Sequence, residues 1–371
     1  MKTKCTFFAE SARILNEETV MDVIREKTEE LEQEDPFYIL DVGDIVEKVK
    51  LWKMKLPRVK PFYAVKCNNH PTVLKILAAL GTGFDCASKA EIQNVLQLGV
   101  DQTRIIFANP CKPLSHLRSA SKLQIPLMTF DSESELQKIS VYYPEAKLVI
   151  RIRVDATDAL VSLGKKFGVL PGDAETLLVA AHTLGLNVVG VAFHVGSGCR
   201  DPSAFHQAII SAKMIIAEPG RYMVASAFTL ATNIFGKREI TDTDGALESI
   251  MYFINDGIYG SFVNVVNHHQ KFHFLLIKKQ DDDETVLPCS IWGPTCDSAD
   301  QVVPETSLPN MPCGQWLMWP EMGAYTLAKA GTFNGFPIPE VIVVVPYTIW
   351  LWFEEHPHHR VSMISVETQT D

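Results

Sequence analysis

The chain has 371 residues, 47% of them hydrophobic, which predicts two domains with separate cores. Its formal net charge of −10 argues against binding to nucleic acid or to an anionic membrane surface. The sequence contains no apolar run of about 18 residues, so we expect no membrane span.

The first elements predicted are a strand over 37–40 and a helix that begins at Asp44. From Pro61 onward, short apolar runs alternate with segments whose apolar residues recur every three to four positions. The runs predict strands over 61–66, 84–87, 104–108, 127–130, 147–154 and 188–195. The segments between them predict helices such as 71–80, 89–98 and 173–184.

Alternating strands and helices at this spacing indicate parallel strands with right-handed crossovers. We therefore predict a (β/α)₈ barrel with the functional residues at the C-terminal ends of its strands. A doubly wound open sheet is the alternative, because periodicity alone does not separate the two folds.

The number of strands is too small for a complete barrel. The run 215–218 is the seventh strand, and no eighth precedes the change in pattern after Arg221. The predicted helix 202–214 also meets Ile215 without Gly, Pro or Asn, although such connections normally take two to six residues. We predict that about one β/α unit is missing at the Met214/Ile215 junction.

After Arg221 the pattern predicts a second, mostly antiparallel β-domain. Its predicted strands are 223–235, 250–254, 290–292, 315–319 and 341–347. The acidic segment 280–284 is expected to be a solvated loop and the tail 361–371 to be frayed. The predicted division is 1–40, which joins the β-domain, then 41–222, the barrel, then 223–371, the β-domain.

The eight cysteines are scattered and form no C-x-x-C pair. This indicates free thiols in a reducing compartment and predicts a cytoplasmic protein. Histidines are grouped at 268–269 and 356–359, but no carboxylate or thiol recurs at ligand spacing, so we expect no metal site.

Lys66 is the most informative residue of the chain. The segment PFYAVKCN (61–68) indicates a buried strand with an amine at its C-terminal end. Desolvation favours the neutral, nucleophilic amine that Schiff-base chemistry requires. A structural lysine that extends to solvent from a strand end is the alternative.

Eight motifs give the chain a specific resemblance to eukaryotic ornithine decarboxylase and the antizyme inhibitors. They are PFYAVKCN (61–68), GTGFDCAS (81–88), ANPCK (108–112), FHVGSGC (193–199), EPGRY (218–222), NDGIYGSF (255–262), WGPTCD (292–297) and MGAY (322–325). The resemblance extends from about Phe37 to Tyr347. It implies a barrel that holds pyridoxal 5'-phosphate (PLP), a β-domain, and a homodimer with active sites shared between subunits.

The resemblance also implies a role for individual residues. Lys66 matches the Schiff-base lysine, His194 the imidazole stacked on the cofactor ring, and Glu218 the carboxylate that keeps the ring nitrogen protonated. Two further positions match residues that line the cofactor pocket, and four match phosphate-binding positions: Asp85 and Arg151, then Ser197, Gly220, Arg221 and Tyr325. Cys296 matches the thiol that reprotonates the substrate carbon. Asp297 matches the acid that reaches the substrate's distal amine from the neighbouring subunit.

The chain departs from the family pattern at the Met214/Ile215 junction. There the family carries a glycine-rich phosphate loop within roughly fifty residues, about one unit of the barrel. Its loss exposes two strand edges and removes backbone donors for a phosphate. We expect this form to bind the cofactor poorly or to fold poorly.

The second departure is His268, which stands where the family has an acid that binds the distal ammonium of the substrate. Its replacement by imidazole removes a charge-assisted hydrogen bond, worth about 1.5–3 kcal/mol. Ornithine is then less favoured, and an amino acid without a distal charge, such as leucine, becomes a candidate.

Three hypotheses follow for function. The first is a PLP-dependent amino-acid decarboxylase that forms an amine or polyamine such as putrescine. The second is a non-enzymatic regulator that binds antizyme through the region 114–141, where Lys112, Arg118 and Lys122 keep the surface partly basic. The third is a truncated product without stable function.

Overall fold

Two β-sheets organise the residues that the computed structural model describes, which are 7–8, 11–153, 166–194, 215–268, 270–277 and 286–356. Numbered along the chain, the strands are β1 (Arg13–Leu15), β2 (Phe37–Asp41), β3 (Val59–Ala64), β4 (Gly83–Cys86), β5 (Ile105–Phe107), β6 (Leu127–Phe130), β7 (Lys147–Ile152), β8 (Asn187–Phe193), β9 (Ile215–Ala217), β10 (Phe228–Thr241), β11 (Leu247–Ile254), β12 (Leu275–Leu276), β13 (Val286–Trp292), β14 (Gln301–Pro309), β15 (Trp316–Trp319) and β16 (Glu340–Pro346). The helices are α1 (Val20–Thr28), α2 (Val42–Lys55), α3 (Pro71–Ala79), α4 (Lys89–Gln97), α5 (Leu114–Lys122), α6 (Glu133–Tyr142), α7 (Ala174–Thr183), α8 (Arg221–Val224), α9 (Asn264–His268) and α10 (Tyr347–Glu355).

The chain divides into two compact units. The α/β-unit consists of Lys50–Asn69 and Leu77–Gly220. The β-unit consists of Met1–Val49, His70–Ile76 and Arg221–Asp371. The three-part division drawn from the sequence stays a prediction.

The α/β-unit is built on a seven-stranded parallel sheet in the order β8-β7-β6-β5-β4-β3-β9. A helix follows each strand from β3 to β7 before the next strand begins. The crossover helices of such units pack on one face of the sheet and strand side chains fill the other, so the strands are mostly apolar. All three residues of β5 are buried.

The seven predicted strands are confirmed, and their order is that of a barrel. The first strand, β3, pairs with the last, β9, through Val59 and Ile215. A doubly wound sheet would instead reverse its strand order in the middle. Among the described strands, β8 and β9 end the sheet, so one strand position of an eight-stranded barrel has no described occupant between them. The predicted helix 202–214 lies outside the described residues.

The β-unit contains a nine-stranded sheet in the order β1-β16-β2-β10-β11-β13-β14, in which β15 pairs with β10 and β12 with β15. Most pairs are antiparallel, as predicted, and the parallel pairs are β1–β16, β16–β2 and β11–β13. The early strand β2 lies between β16 and β10. Its Phe37 and Ile39 pack in a core with Trp316 and Met318.

Several predicted boundaries in the β-unit were wrong. Met223 and Val224 lie in the short helix α8, and the strand that follows begins at Phe228. Strand β16 ends at Pro346, and Tyr347 begins a helix. Because the sequence is apolar on both sides of Pro346, periodicity does not mark the change from strand to helix.

Other sequence features lie outside the described part of the chain, namely the acidic segment 280–284 and the tail 361–371. In the described part, no helix has the length and hydropathy needed to cross a bilayer.

Candidate active site

Lys66 lies just beyond the end of β3, in a 3₁₀ turn formed by Val65–Cys67. Its Nζ is 2.6 Å from Oδ2 of Asp85, which belongs to the neighbouring strand β4. The side chain of Lys66 is 43% exposed, whereas that of Asp85 is 1% exposed. The prediction of a buried lysine was therefore wrong. Residue 66 lies in the turn and not in the strand, so its side chain does not follow the in–out alternation of strand residues and its amine is accessible.

Three more charged or titratable residues lie at the same edge of the parallel sheet. Arg151 lies near the end of β7, and His194 and Glu218 directly follow β8 and β9. Because all the strands are parallel, these positions share the C-terminal edge of the sheet with Lys66 and Asp85. The structure thus brings together five predicted site residues, and we call them the lysine cluster.

The charges of the lysine cluster act on one another. Desolvation, followed by the Asp85 carboxylate, raises the pKa of Glu218 to about 7, while Lys66 and Arg151 act in the opposite direction. Desolvation, followed by the cations Arg151 and Lys66, lowers the pKa of His194 to about 4. At neutral pH the His194 imidazole is therefore uncharged.

Glu218 is accessible to water, although protein atoms surround its carboxylate. It is therefore screened less than a carboxylate on an open surface and more than one sealed in a core. A carboxylate in this setting can hold or release a proton near neutral pH, as acid–base chemistry requires.

The segment that follows Glu218 lies tightly against the turn that carries Lys66. The Ala64 amide donates to the Pro219 carbonyl at 3.2 Å. A Cβ atom on Gly220 would lie 2.9 Å from the Cβ of Cys67, so a larger residue would push the two segments apart. Gly220 is thus required here for close approach of the chain.

The predicted phosphate positions Arg221 and Tyr325 lie together in the β-unit. The Arg221 guanidinium is 5.6 Å from the centre of the Tyr325 ring, and Lys329 Nζ is 5.3 Å from it. Tyr325 has a left-handed backbone conformation, with φ of 61°. Residues other than glycine rarely adopt this conformation, and those that do are often found at functional sites. The sequence pattern missed Lys329, which gives this group a second cation.

Cys296 and Asp297 belong to a second group in the β-unit, which we call the thiol cluster. The Tyr259 hydroxyl donates a short hydrogen bond to Asp297, and this bond, with the Ala299 amide, lowers the pKa of Asp297. The Cys296 thiol is exposed and lies 3.5 Å from Oδ1 of Asn334. The other members of the cluster are Tyr259, Phe333 and Asn334.

Asp300 is a buried residue that the sequence pattern also missed. Its carboxylate accepts hydrogen bonds from the Ile258 amide at 2.9 Å and from the Thr295 amide and hydroxyl at 3.0 and 2.6 Å. A Cβ on Gly257 or Gly293 would lie 2.3 or 2.2 Å from Asp300 Oδ1. The sequence signal that could have found Asp300 is the pair Gly257 and Gly293, because residues without a Cβ let two loops approach the same carboxylate.

Two predicted site positions cannot be placed in these groups, because Ser197 and the side chain of His268 lie outside the described residues. In the described portion, His, Cys, Asp and Glu side chains form no group of three at metal-ligand distances.

Lys112 was expected to contribute to a basic surface, and that expectation was wrong. Its side chain is fully buried and pairs with Glu135 at 3.0 Å, and it donates to the Thr129 carbonyl at 2.6 Å. Arg118 and Lys122 are exposed on α5, so they alone of the three keep the predicted basic character of that surface.

Comparison with known proteins identifies the family. Residues 42–216 match the model of the pyridoxal-dependent decarboxylase, pyridoxal binding domain. Ornithine decarboxylase of Rattus norvegicus is 41% identical over 405 residues, 92% of this chain and 88% of the rat protein. The chain belongs to the ornithine decarboxylase and antizyme inhibitor family. Because the alignment is longer than this 371-residue chain, the rat protein contains residues that this family member lacks.

The family includes an inhibitor as well as enzymes. Antizyme inhibitor 2 of Xenopus laevis is 40% identical over 89% of this chain and 86% of its own length. Among solved structures, the arginine decarboxylase of Paramecium bursaria Chlorella virus has a TM-score of 0.81 and 32% identity, over 87% of this chain and 100% of the viral one. Identity to the rat enzyme and to the inhibitor is nearly equal, so it does not distinguish the two functions.

Proposed function

We propose that this family member is a PLP-dependent amino-acid decarboxylase of the ornithine decarboxylase type. The observation that carries the proposal is the accessible amine of Lys66, which a buried carboxylate holds at 2.6 Å at the C-terminal edge of a parallel sheet. Glu218, Arg151 and His194 share that edge, where they can serve a cofactor bound beside the amine.

The lysine cluster fits PLP. Oδ1 of Asp85 is buried and has no hydrogen-bond partner among the described residues, so it can accept from a ligand. Glu218 is accessible to water and adjusts its charge near neutral pH, which suits a partner for the ring nitrogen. When bound, PLP supplies an electron sink for the electron pair that remains on the substrate carbon after CO₂ leaves.

Each residue of the lysine cluster then has one task. Lys66 would hold the cofactor through its amine, and Asp85 would keep that amine in place. Glu218 would hold a proton at the ring nitrogen. His194, uncharged at neutral pH, would contact the cofactor, and Arg151 would line the pocket with a positive charge.

Phosphate binding is the weaker part of the proposed site. Arg221 and Tyr325, with Lys329 as a further cation, suit a phosphate dianion, and Gly220 and Ser197 complete the predicted set. We propose that the residues this chain lacks relative to the rat enzyme include the glycine-rich loop at Met214/Ile215. That loss would remove backbone N–H donors and weaken binding of the cofactor.

The thiol cluster supplies the remaining steps. Cys296 gives its proton to the substrate carbon, and Asp297 faces the distal end of the substrate. With His268 in place of an acid, and Asp297 already bound to Tyr259, we propose a substrate without a distal charge, such as leucine. We also propose a cytoplasmic homodimer in which Cys296 and Asp297 of one copy serve Lys66 of the other.

Release of ¹⁴CO₂ from labelled ornithine, lysine, arginine and leucine, with PLP present, tests the proposal. Lys66→Ala should abolish release, whereas Lys60→Ala, an exposed lysine of the same strand, should preserve it. Release that is equal in the two variants, or absent with all four amino acids in the wild type, would refute decarboxylation by this form.

A regulator that binds antizyme is the second candidate. Exposed Arg118 and Lys122 on α5 favour it, since they offer cations to an acidic partner surface. Arg118→Glu with Lys122→Glu should then abolish capture by purified antizyme, and a Lys147→Glu control should leave capture unchanged.

A further inference from the structure

The thiol of Cys296 and its backbone amide meet the same atom. The Cys296 amide donates to Oδ1 of Asn334 at 3.3 Å, and the Cys296 thiol donates to that oxygen at 3.5 Å. A backbone N–H can only donate, so the Asn334 side chain must present its oxygen and not its NH₂ group here. One amide oxygen thus fixes both the loop at Cys296 and the direction of its S–H bond.

The backbone of Asn334 sets the position of that oxygen. Asn334 has φ 55° and ψ 14°, and Gly335 has φ 81°, so both central residues of the turn are left-handed. The Phe336 amide closes the turn by donating to the Phe333 carbonyl at 3.3 Å. This is a type I′ turn, whose preferred central residues are Asn-Gly.

The same turn reaches the neighbour of Cys296. The Phe333 ring lies against the Tyr259 ring at 4.4 Å, and the Tyr259 hydroxyl donates to Asp297. The adjacent residues Cys296 and Asp297 are therefore both tied to one two-residue turn, the first directly and the second through Tyr259.

We propose that Asn334 is a positioning residue, which orients the S–H bond of Cys296. The proposal rests on the proposed function, in which Cys296 donates a proton. An acceptor for the S–H bond stabilises the thiol, whereas a thiolate would face the partial negative charge of the amide oxygen. Removal of the oxygen therefore favours the thiolate, and a carboxylate in its place favours the thiol.

Two substitutions at this position separate the side chain from the backbone. Asn334→Gly keeps the left-handed turn and removes the oxygen, and Asn334→Asp keeps the shape and adds a negative charge. Gln124 also has left-handed backbone, with φ 54°, in the α/β-unit, so Gln124→Gly controls for a new glycine at such a site. Cys111 and Cys313 are exposed thiols of the same chain and serve as internal references.

The measurement is the rate at which iodoacetamide alkylates each cysteine from pH 6 to 10, read from peptide masses on the full chain. In Asn334→Gly the S–H bond of Cys296 loses its acceptor, so its rate at pH 7 should rise several-fold. In Asn334→Asp the midpoint should rise by about one pH unit, a roughly tenfold slower reaction at pH 7. Cys111 and Cys313 should not change, and Gln124→Gly should match the wild type.

An unchanged Cys296 profile in Asn334→Asp would overturn the proposal, even if Asn334→Gly did not fold. Equal changes at Cys111 and Cys313 would overturn it as well, since they would indicate a general loss of structure. Alkylation requires neither cofactor nor turnover. A shifted profile without CO₂ release would therefore leave the role of Asn334 standing and refute only the proposed function.

Discussion

Nζ of Lys66 lies 2.6 Å from Oδ2 of Asp85, and the two partners differ in exposure, with the amine accessible and the carboxylate buried. A buried carboxylate has few conformations, so it defines where the amine lies. It also stabilises the charged form of that amine, which must lose a proton before it attacks an aldehyde. Asp85 therefore positions the Lys66 amine and favours its charged, unreactive form until a bound ligand favours the neutral form.

The first prediction concerns this restraint. Asp85→Asn should speed reductive methylation of Lys66 by formaldehyde and cyanoborohydride at pH 7, by up to about tenfold, because the amide stabilises the ammonium less. Peptide masses give the rate at Lys66 and, as a reference in the same sample, at exposed Lys60. No gain at Lys66 relative to Lys60 would show that Asp85 does not hold the amine in its charged form.

The second prediction concerns Glu218 and pH. Its pKa is raised from 4.5 to about 7 in the folded chain, so the folded state binds this proton more tightly than the unfolded state. The resulting stability is fully present below about pH 4.5 and is lost as the pH rises through about 7. Glu218→Gln does not titrate and should become more stable than the wild type over this window, by about 1 kcal/mol at pH 8 after screening by water.

Urea unfolding of cofactor-free protein at pH 5 and pH 8 measures the difference. Exposed Glu145→Gln is the matched control and should follow the wild type. If the gain in unfolding free energy of Glu218→Gln over the wild type does not increase from pH 5 to pH 8, the pKa of Glu218 is not raised as described.

The third prediction concerns the buried pair of Lys112 and Glu135. Glu135→Gln removes the carboxylate that pairs with buried Lys112 and also with Lys138, although the bond from Lys112 to the Thr129 carbonyl remains. Breaking such a pair should destabilise the fold by about 3–5 kcal/mol. Exposed Glu133→Gln on the same helix should cost less than about 1 kcal/mol in the same denaturation experiment. A small loss in Glu135→Gln would mean that water reaches Lys112.

The fourth prediction concerns β8, which ends the parallel sheet among the strands that the structure describes. Val189 and Val191 on this strand are 50% and 61% exposed, and Asn187–Phe193 contains no charge or proline to protect an edge. We expect the wild type to form aggregates larger than a dimer. Val191→Lys should reduce them in sedimentation at matched concentration, while Val141→Lys, at a valine 70% exposed on α6, should not. Equal effects of both lysines would assign the change to net charge.

The sequence predicted the parallel strands well because each is a short apolar run between turn residues, as in Leu127–Phe130. The resemblance also named the residues of the lysine cluster. It could not predict how exposed Lys66 is, since this depends on a 3₁₀ turn that the apolar run conceals.

The sequence pattern did not predict contacts between residues that are far apart in the chain. The Asn-Gly pair at 334–335 is a turn signal, yet nothing near it indicates that its oxygen reaches Cys296, 38 residues away. Lys112 likewise resembled a surface cation, because its partner Glu135 lies 23 residues further along the chain. Burial and pairing of this kind arise only when the chain folds.

Covalent labelling shows whether Lys66 is the attachment point of the cofactor. Purified full-length chain is incubated with PLP, reduced with borohydride, digested and mapped by mass. We predict an adduct on the peptide that contains Lys66, its loss in Lys66→Ala, and its retention in Lys60→Ala. An adduct that is absent from Lys66, or that persists in Lys66→Ala at the wild-type level, would contradict the assignment of this lysine as the attachment point of the cofactor.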